Sequence, residues 1–82
     1  MNNEIRKLAL WAKQKEIEAL QKAKEKPRYI GDHYVYWDAK ANAFSQVWEF
    51  IVFDGKKVGS GISPKEYNKA NLEWSEMANK EE

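Results

Sequence analysis

Apolar residues recur every three or four positions at both ends of this chain, while the middle alternates more closely. Ile5, Leu8, Ala9, Ala12, Ala19, Leu20 and Ala23 fall on one face of a helical wheel, which predicts an amphipathic helix over residues 1–26. Asn2 or Asn3 supplies a cap at its start, and Pro27 stops it. Leu10 and Ile17 form a second, narrower stripe. Glu16 interrupts the main apolar face, so it snorkels to solvent, pairs with a cation or faces a partner.

From Tyr29 the pattern reads as strand. Tyr34-Val35-Tyr36-Trp37 is rich in β-formers, and Asp38 to Asn42 reads as a loop. Val47 to Phe53 predicts a second strand and Lys56 to Ile62 a third. Asp54-Gly55 between them fits a two-residue hairpin turn, in which both positions need φ > 0. That turn sets the register: Ile51 opposes Val58 on one face, while Phe50 opposes Gly59 and Trp48 opposes Gly61 on the other. Ser63-Pro64-Lys65-Glu66 is a helix start, with Ser63 capping, Pro64 at the first helical position and Glu66 closing a capping box. The last helix is expected over 63–79, with Tyr67, Ala70, Trp74, Met77 and Ala78 on one face, and the tail Lys80-Glu81-Glu82 is expected to fray. The predicted fold class is α+β: one small domain over 1–82, ordered α-β-β-β-α, with a three-stranded antiparallel sheet over 29–62 and both helices packed on one face. Its open face would carry Trp48 and Phe50.

Composition adds limits. Hydrophobic residues make up 43% of the 82, with four Trp, four Tyr and three Phe, which is enough large apolar surface to argue against disorder. The chain has no Cys, which removes disulfides, thiolate metal sites and a Cys nucleophile and is compatible with the cytoplasm. No stretch approaches the roughly 18 apolar residues of a membrane span, so no membrane partner is expected. The net charge of +1 conceals an asymmetry: residues 1–28 hold eight Lys or Arg against four Glu, and residues 29–82 hold six Lys against nine acids. A basic first third on an acidic remainder is far from the uniformly basic balance of a dedicated nucleic-acid binder.

The sequence points away from catalysis. His33 is the one histidine, no serine stands in a nucleophile motif, and Gly59-Ser60-Gly61 lacks the Lys-Ser/Thr that completes a phosphate loop. Glu16 and Glu49 both sit oddly on apolar faces, without a motif that joins them. No metal or cofactor is expected. The residues that stand out are anchors for binding: Trp11 among Lys7, Lys15, Glu18 and Lys22, and the Trp48/Phe50 face. A protein partner is the expected one, and an open apolar face on so small a domain also admits a homodimer. The alternative is nucleic acid, with Lys13, Lys57, Lys65 and Lys69 on phosphates and aromatics stacking bases.

The α-β-β-β-α order and the run from Asp54 to Glu66 resemble the double-stranded-RNA-binding domain over about residues 27–78. Gly59, Gly61, Ser63, Lys65 and Ala70 match that family's Gly-x-Gly-x-Ser and following helix, and Pro27-Arg28-Tyr29 is similar to its Pro-x-Tyr. The family's Gly-Pro-x-His loop has no counterpart in Lys40 to Phe44, and its Lys-rich helix start is replaced by Pro64-Lys65-Glu66-Tyr67-Asn68. Family members without the RNA-contacting residues act through protein contacts, which is what the resemblance implies here. In size and style the chain also resembles phage or mobile-element accessory proteins that inhibit host machinery, such as a defence or nucleic-acid-processing complex.

Overall fold

The computed structural model describes residues 2–80 and contains three helices: α1 (Asn3–Ala23), α2 (Gly31–Val52) and α3 (Pro64–Lys80). Met1, Glu81 and Glu82 lie outside the described residues, and with them the expected fraying of the tail beyond Lys80. The fold is all-α. Among the described residues no strand forms, and a single isolated bridge between Val58 and Ile62 is the only β pairing.

The two outer helices form as their patterns dictate. Asn2 caps α1, its side-chain oxygen accepting from the Ile5 N–H at 2.9 Å. Ser63 caps α3 in the same way, Oγ accepting from the Glu66 N–H at 3.1 Å. α1 stops at Ala23, a turn short of Lys26.

The α+β expectation with its three-stranded sheet is corrected by α2, a helix of 22 residues spanning most of the segment assigned to strands. Tyr34 to Trp37 is locally β-favouring, but Ala39, Ala41 and Ala43 favour helix. Trp37, Ala41, Phe44, Trp48 and Ile51 then recur at helical spacing toward α1, and tertiary packing overrides local preference. Asp54 and Gly55 do adopt positive φ, 51° and 78°. They do so to end a helix rather than to turn a hairpin: the Gly55 N–H donates to the Phe50 carbonyl at 2.8 Å, the six-to-one bond of a Schellman cap. Gly59 and Gly61, expected opposite aromatic rings, instead turn the α2–α3 loop with φ of 90° and 105°. The strand order implied by the RNA-binding-domain likeness is therefore not the order this chain adopts.

α1 and α2 run antiparallel. His33 Nε2 meets the Lys22 carbonyl at 2.6 Å near one end, a contact that places the ring proton on Nε2. Trp11 meets Phe44 edge-to-face at 5.4 Å further along, and Leu8 lies beside Val47 and Ile51 toward the other end. Ala9, Ala12, Ala19, Ala23 and Ala41 are all buried, and their small side chains let the helices approach closely. α3 packs on α1 and reaches α2 through side chains such as Tyr67. The molecule measures 39 × 30 × 18 Å, so it is about two helices thick and much of each helix faces solvent.

Candidate functional site

A helix separates what a strand would keep together. Residues two apart lie on the same face of a strand but about 200° apart around a helix. Trp48 and Phe50 were expected side by side on an open sheet. In α2, Trp48 is 0% exposed and Phe50 is 69% exposed. Trp48 is therefore a core residue and is not available as a binding anchor.

The Trp48 side is covered and interlocked. Phe53 and Tyr67 meet its ring edge-on at 5.7 and 5.9 Å, and Lys13 Nζ sits over its face, 3.8 Å from the centroid. Lys13 is 1% exposed, yet its ammonium is satisfied: it donates to Glu16 at 2.8 Å and to Asn71 Oδ1 at 2.7 Å. Glu16 thus takes the cation-pairing role among those open to it. The Tyr67 hydroxyl donates to Glu49 Oε1 at 2.5 Å. Burial, then the Glu49 hydrogen bond and charge, push that hydroxyl up to about 12. The two carboxylates singled out as odd are each engaged by a different partner, and they form no pair with each other. Trp48 Nε1 is the one buried side-chain polar atom without a protein acceptor among the described residues.

The opposite side of the α1–α2 pair has no helix over it. Tyr36, Lys40, Ala43, Val47 and Phe50 follow one another at spacings of four and three along α2, which aligns them in one strip. Leu8 flanks it from α1, whereas Trp11, packed on Phe44, lines a separate groove with Gln14, Ile17, Ala78 and Asn79. Leu8, Ala43, Gln46, Val47, Phe50 and Ile51 line a shallow groove along the seam, and Leu8, Val47, Phe50 and Tyr36 are all exposed. The Phe50 ring lies against Gly55, where an added Cβ would come within 3.3 Å of it, so the helix cap fixes the ring that projects outward.

Charged groups lie on both sides of this strip. Lys40 Nζ lies 4.8 Å from the Tyr36 ring centroid and 5.2 Å from that of Trp37, while Lys56 and Lys57 share a groove with Glu49, Phe50 and Gly55. Among the described residues, none of these three has a carboxylate within ion-pair distance, unlike Lys13, Lys15 and Lys22, which pair with Glu16, Glu18 and Glu25.

The expected site residues separate accordingly. Trp11 is half-exposed and packed on Phe44, with Lys15 and Lys22 following it along the same edge of α1. Lys7 instead lies near Arg6, Leu10 and Met77. Of the nucleic-acid set, Lys13 is buried and fully engaged, Lys57 borders Phe50, and Lys65 and Lys69 are exposed one turn apart on α3. The four-three spacing from Tyr36 through Lys40, Ala43 and Val47 to Phe50 is the sequence signal that places these residues on one helix face. Among the described residues no cluster of His, Cys, Asp or Glu fits a metal ion, and no helix is long and apolar enough to cross a membrane. No protein-family model, curated protein or solved structure matches this chain.

Proposed function

We propose that this chain is a non-enzymatic binding module that works by protein–protein contact, with the Leu8/Val47/Phe50 strip as its contact surface. The observation that supports this reading most is Phe50, a large ring held outward by a helix cap in line with further exposed apolar side chains. Contiguous apolar surface rimmed by polar and charged groups is the anatomy of a partner site. Trp11, half-exposed in a separate groove beside Ala78 and Asn79, is a second candidate anchor of the residue type that dominates binding energy.

The test is a photo-crosslinking amino acid placed at position 50, and in a separate variant at position 72, in cells that make the protein. Leu72 is also exposed, but on α3. Protease-sensitive adducts from position 50 and none from position 72 are expected. Adducts removed by nuclease would replace this reading with nucleic-acid binding, and equal adducts from both positions would remove the strip as the contact surface.

A further inference from the structure

We infer that the groove between the end of α1 and the start of α2 is a second binding site, which takes the phosphate backbone of single-stranded nucleic acid on Lys24, Lys26 and Arg28. It stands apart from the Leu8/Val47/Phe50 strip. Tyr34, in its wall, lies about 24 Å along α2 from Phe50, so the inference does not depend on what the strip binds. The first argument is where the unpaired charge sits. Of the eight cations in residues 1–28, Lys13, Lys15 and Lys22 each pair with the glutamate three positions on. Among the described residues the others form no ion pair, and Lys24, Lys26 and Arg28 line one groove with Leu20, Tyr34 and Asp38. Asp38 is the one acid in that lining. It lies beyond ion-pair distance of all three cations and accepts from the Asn42 amide at 3.5 Å. The carbonyl end of α1 and the N–H end of α2 bring opposite partial charges to this tip, so the side chains set its sign.

The second argument is how the turn presents these groups. The Ile30 N–H donates to the Pro27 carbonyl at 3.0 Å, closing a turn with Arg28 and Tyr29 at its two central positions. The Arg28 guanidinium is already placed: Nη2 donates to the Tyr34 hydroxyl at 2.6 Å, and its central carbon lies 4.6 Å from that ring's centroid. This contact uses one amino group and leaves the rest of the planar fork for phosphate oxygens. Tyr29, the next residue, is 87% exposed, more than any other large hydrophobic side chain described. Nothing in the fold's packing accounts for a ring so fully in solvent. Cations beside an open aromatic ring suit a nucleic-acid strand, whose phosphates meet the charges while a base stacks on the ring. An acidic peptide supplies carboxylates for the cations but no flat base for Tyr29.

The experiment follows the full chain by fluorescence anisotropy with three probes: a mixed-sequence single-stranded oligonucleotide, inorganic polyphosphate and a poly-Glu peptide. The oligonucleotide is expected to bind, and to lose about 20-fold in affinity between about 50 and about 200 mM salt, the slope for about three neutralised phosphates on a single strand. Lys24→Gln with Lys26→Gln and Arg28→Gln is expected to weaken it at least about ten-fold and flatten the salt slope, with the circular dichroism spectrum unchanged. Lys65→Gln with Lys69→Gln, on α3, is expected to leave binding as it is. Tyr29→Ala is expected to weaken the oligonucleotide about ten-fold and polyphosphate hardly at all, since only the former has bases to stack. No binding of the oligonucleotide overturns the inference, as does equal binding by the triple variant. Poly-Glu bound as tightly as the oligonucleotide overturns it in favour of an acidic protein. Failure of the protein-contact reading is registered separately, by the crosslinks from position 50.

Discussion

Trp48 and Phe50 stand two residues apart on α2, carry comparable apolar area and meet opposite fates. Around Trp48 the molecule has built a closed apolar environment, with a lysine over one face, two rings at its edges and a Tyr–Glu hydrogen bond nearby, although the indole Nε1 finds no protein acceptor among the described residues. Around Phe50 it has built only a support, the glycine of the helix cap against which the ring rests. The difference shows that in a protein about two helices thick, the helical period decides which aromatics hold the fold and which face solvent. Beside Trp48, Lys13 and Glu16 form a buried pair, whereas beside Phe50, Lys56 and Lys57 form no ion pair among the described residues and share their groove with Glu49, which accepts from the Tyr67 hydroxyl.

The largest consequence concerns those two residues. Trp48→Ala removes the centre of the core and is expected to cost about 3–5 kcal/mol, a large share of what a domain of this size has. Phe50→Ala is expected to change stability by no more than about 0.5 kcal/mol. Urea denaturation of both variants measures the contrast, and similar losses would break it.

Next in size is the buried ammonium. Lys13→Ala strands Glu16 and Asn71 and uncovers the Trp48 face, with an expected cost of about 3 kcal/mol. The double change Lys13→Met with Glu16→Gln is expected to recover most of it, because apolar packing replaces a desolvated pair at similar volume. A double variant as unstable as the single one would show that the Trp48 side relies on the charge itself.

The hydroxyl of Tyr67 sharpens the comparison through pH. Its folded pKa lies near 12 against an ordinary 10.0, so the folded state holds the proton more tightly than the unfolded state. The stability this contributes is fully present below pH 10 and is lost as pH rises toward 12. Phenolate absorbance is expected to show one tyrosine ionising near pH 12 that is lost in Tyr67→Phe, and Glu49→Gln is expected to bring that midpoint down.

How much of this was legible in the sequence depends on where one looks. α1 and α3 could be read because their apolar spacing and their caps agree, and Asn2 and Ser63 cap as their residue types dictate. α2 was misread because its signals conflict. Tyr34 to Trp37 favours strand in isolation, and Asp54-Gly55 is a strong hairpin signal whose positive φ serves equally well to terminate a helix. The deciding evidence lay in longer-range features, since no Gly or Pro interrupts the chain between Gly31 and Gly55, and a strand–loop–strand would want such a break. The site inherited the error. Phe50 and Trp11 are exposed as expected, but a period of two groups Trp48 with Phe50, and the strip from Tyr36 to Phe50 becomes visible only once the period is 3.6.

The smallest expected effect lies at the cap that supports Phe50. Asp54 sits at φ 51°, a region costly for a residue with a Cβ. Asp54→Gly is therefore expected to raise stability by about 0.5–1 kcal/mol. A loss instead would mean that the Asp54 side chain contributes to the turn in its own right.

The division of α2 into a sealed side and an open one is tested most directly by hydroxyl-radical footprinting of the isolated protein, with each residue's rate normalised to its rate in denaturant. The account predicts that Phe50 is modified nearly as fast as in the unfolded chain while Trp48 is strongly protected. Comparable modification of the two, as adjacent positions on one face of a strand would give, would contradict it.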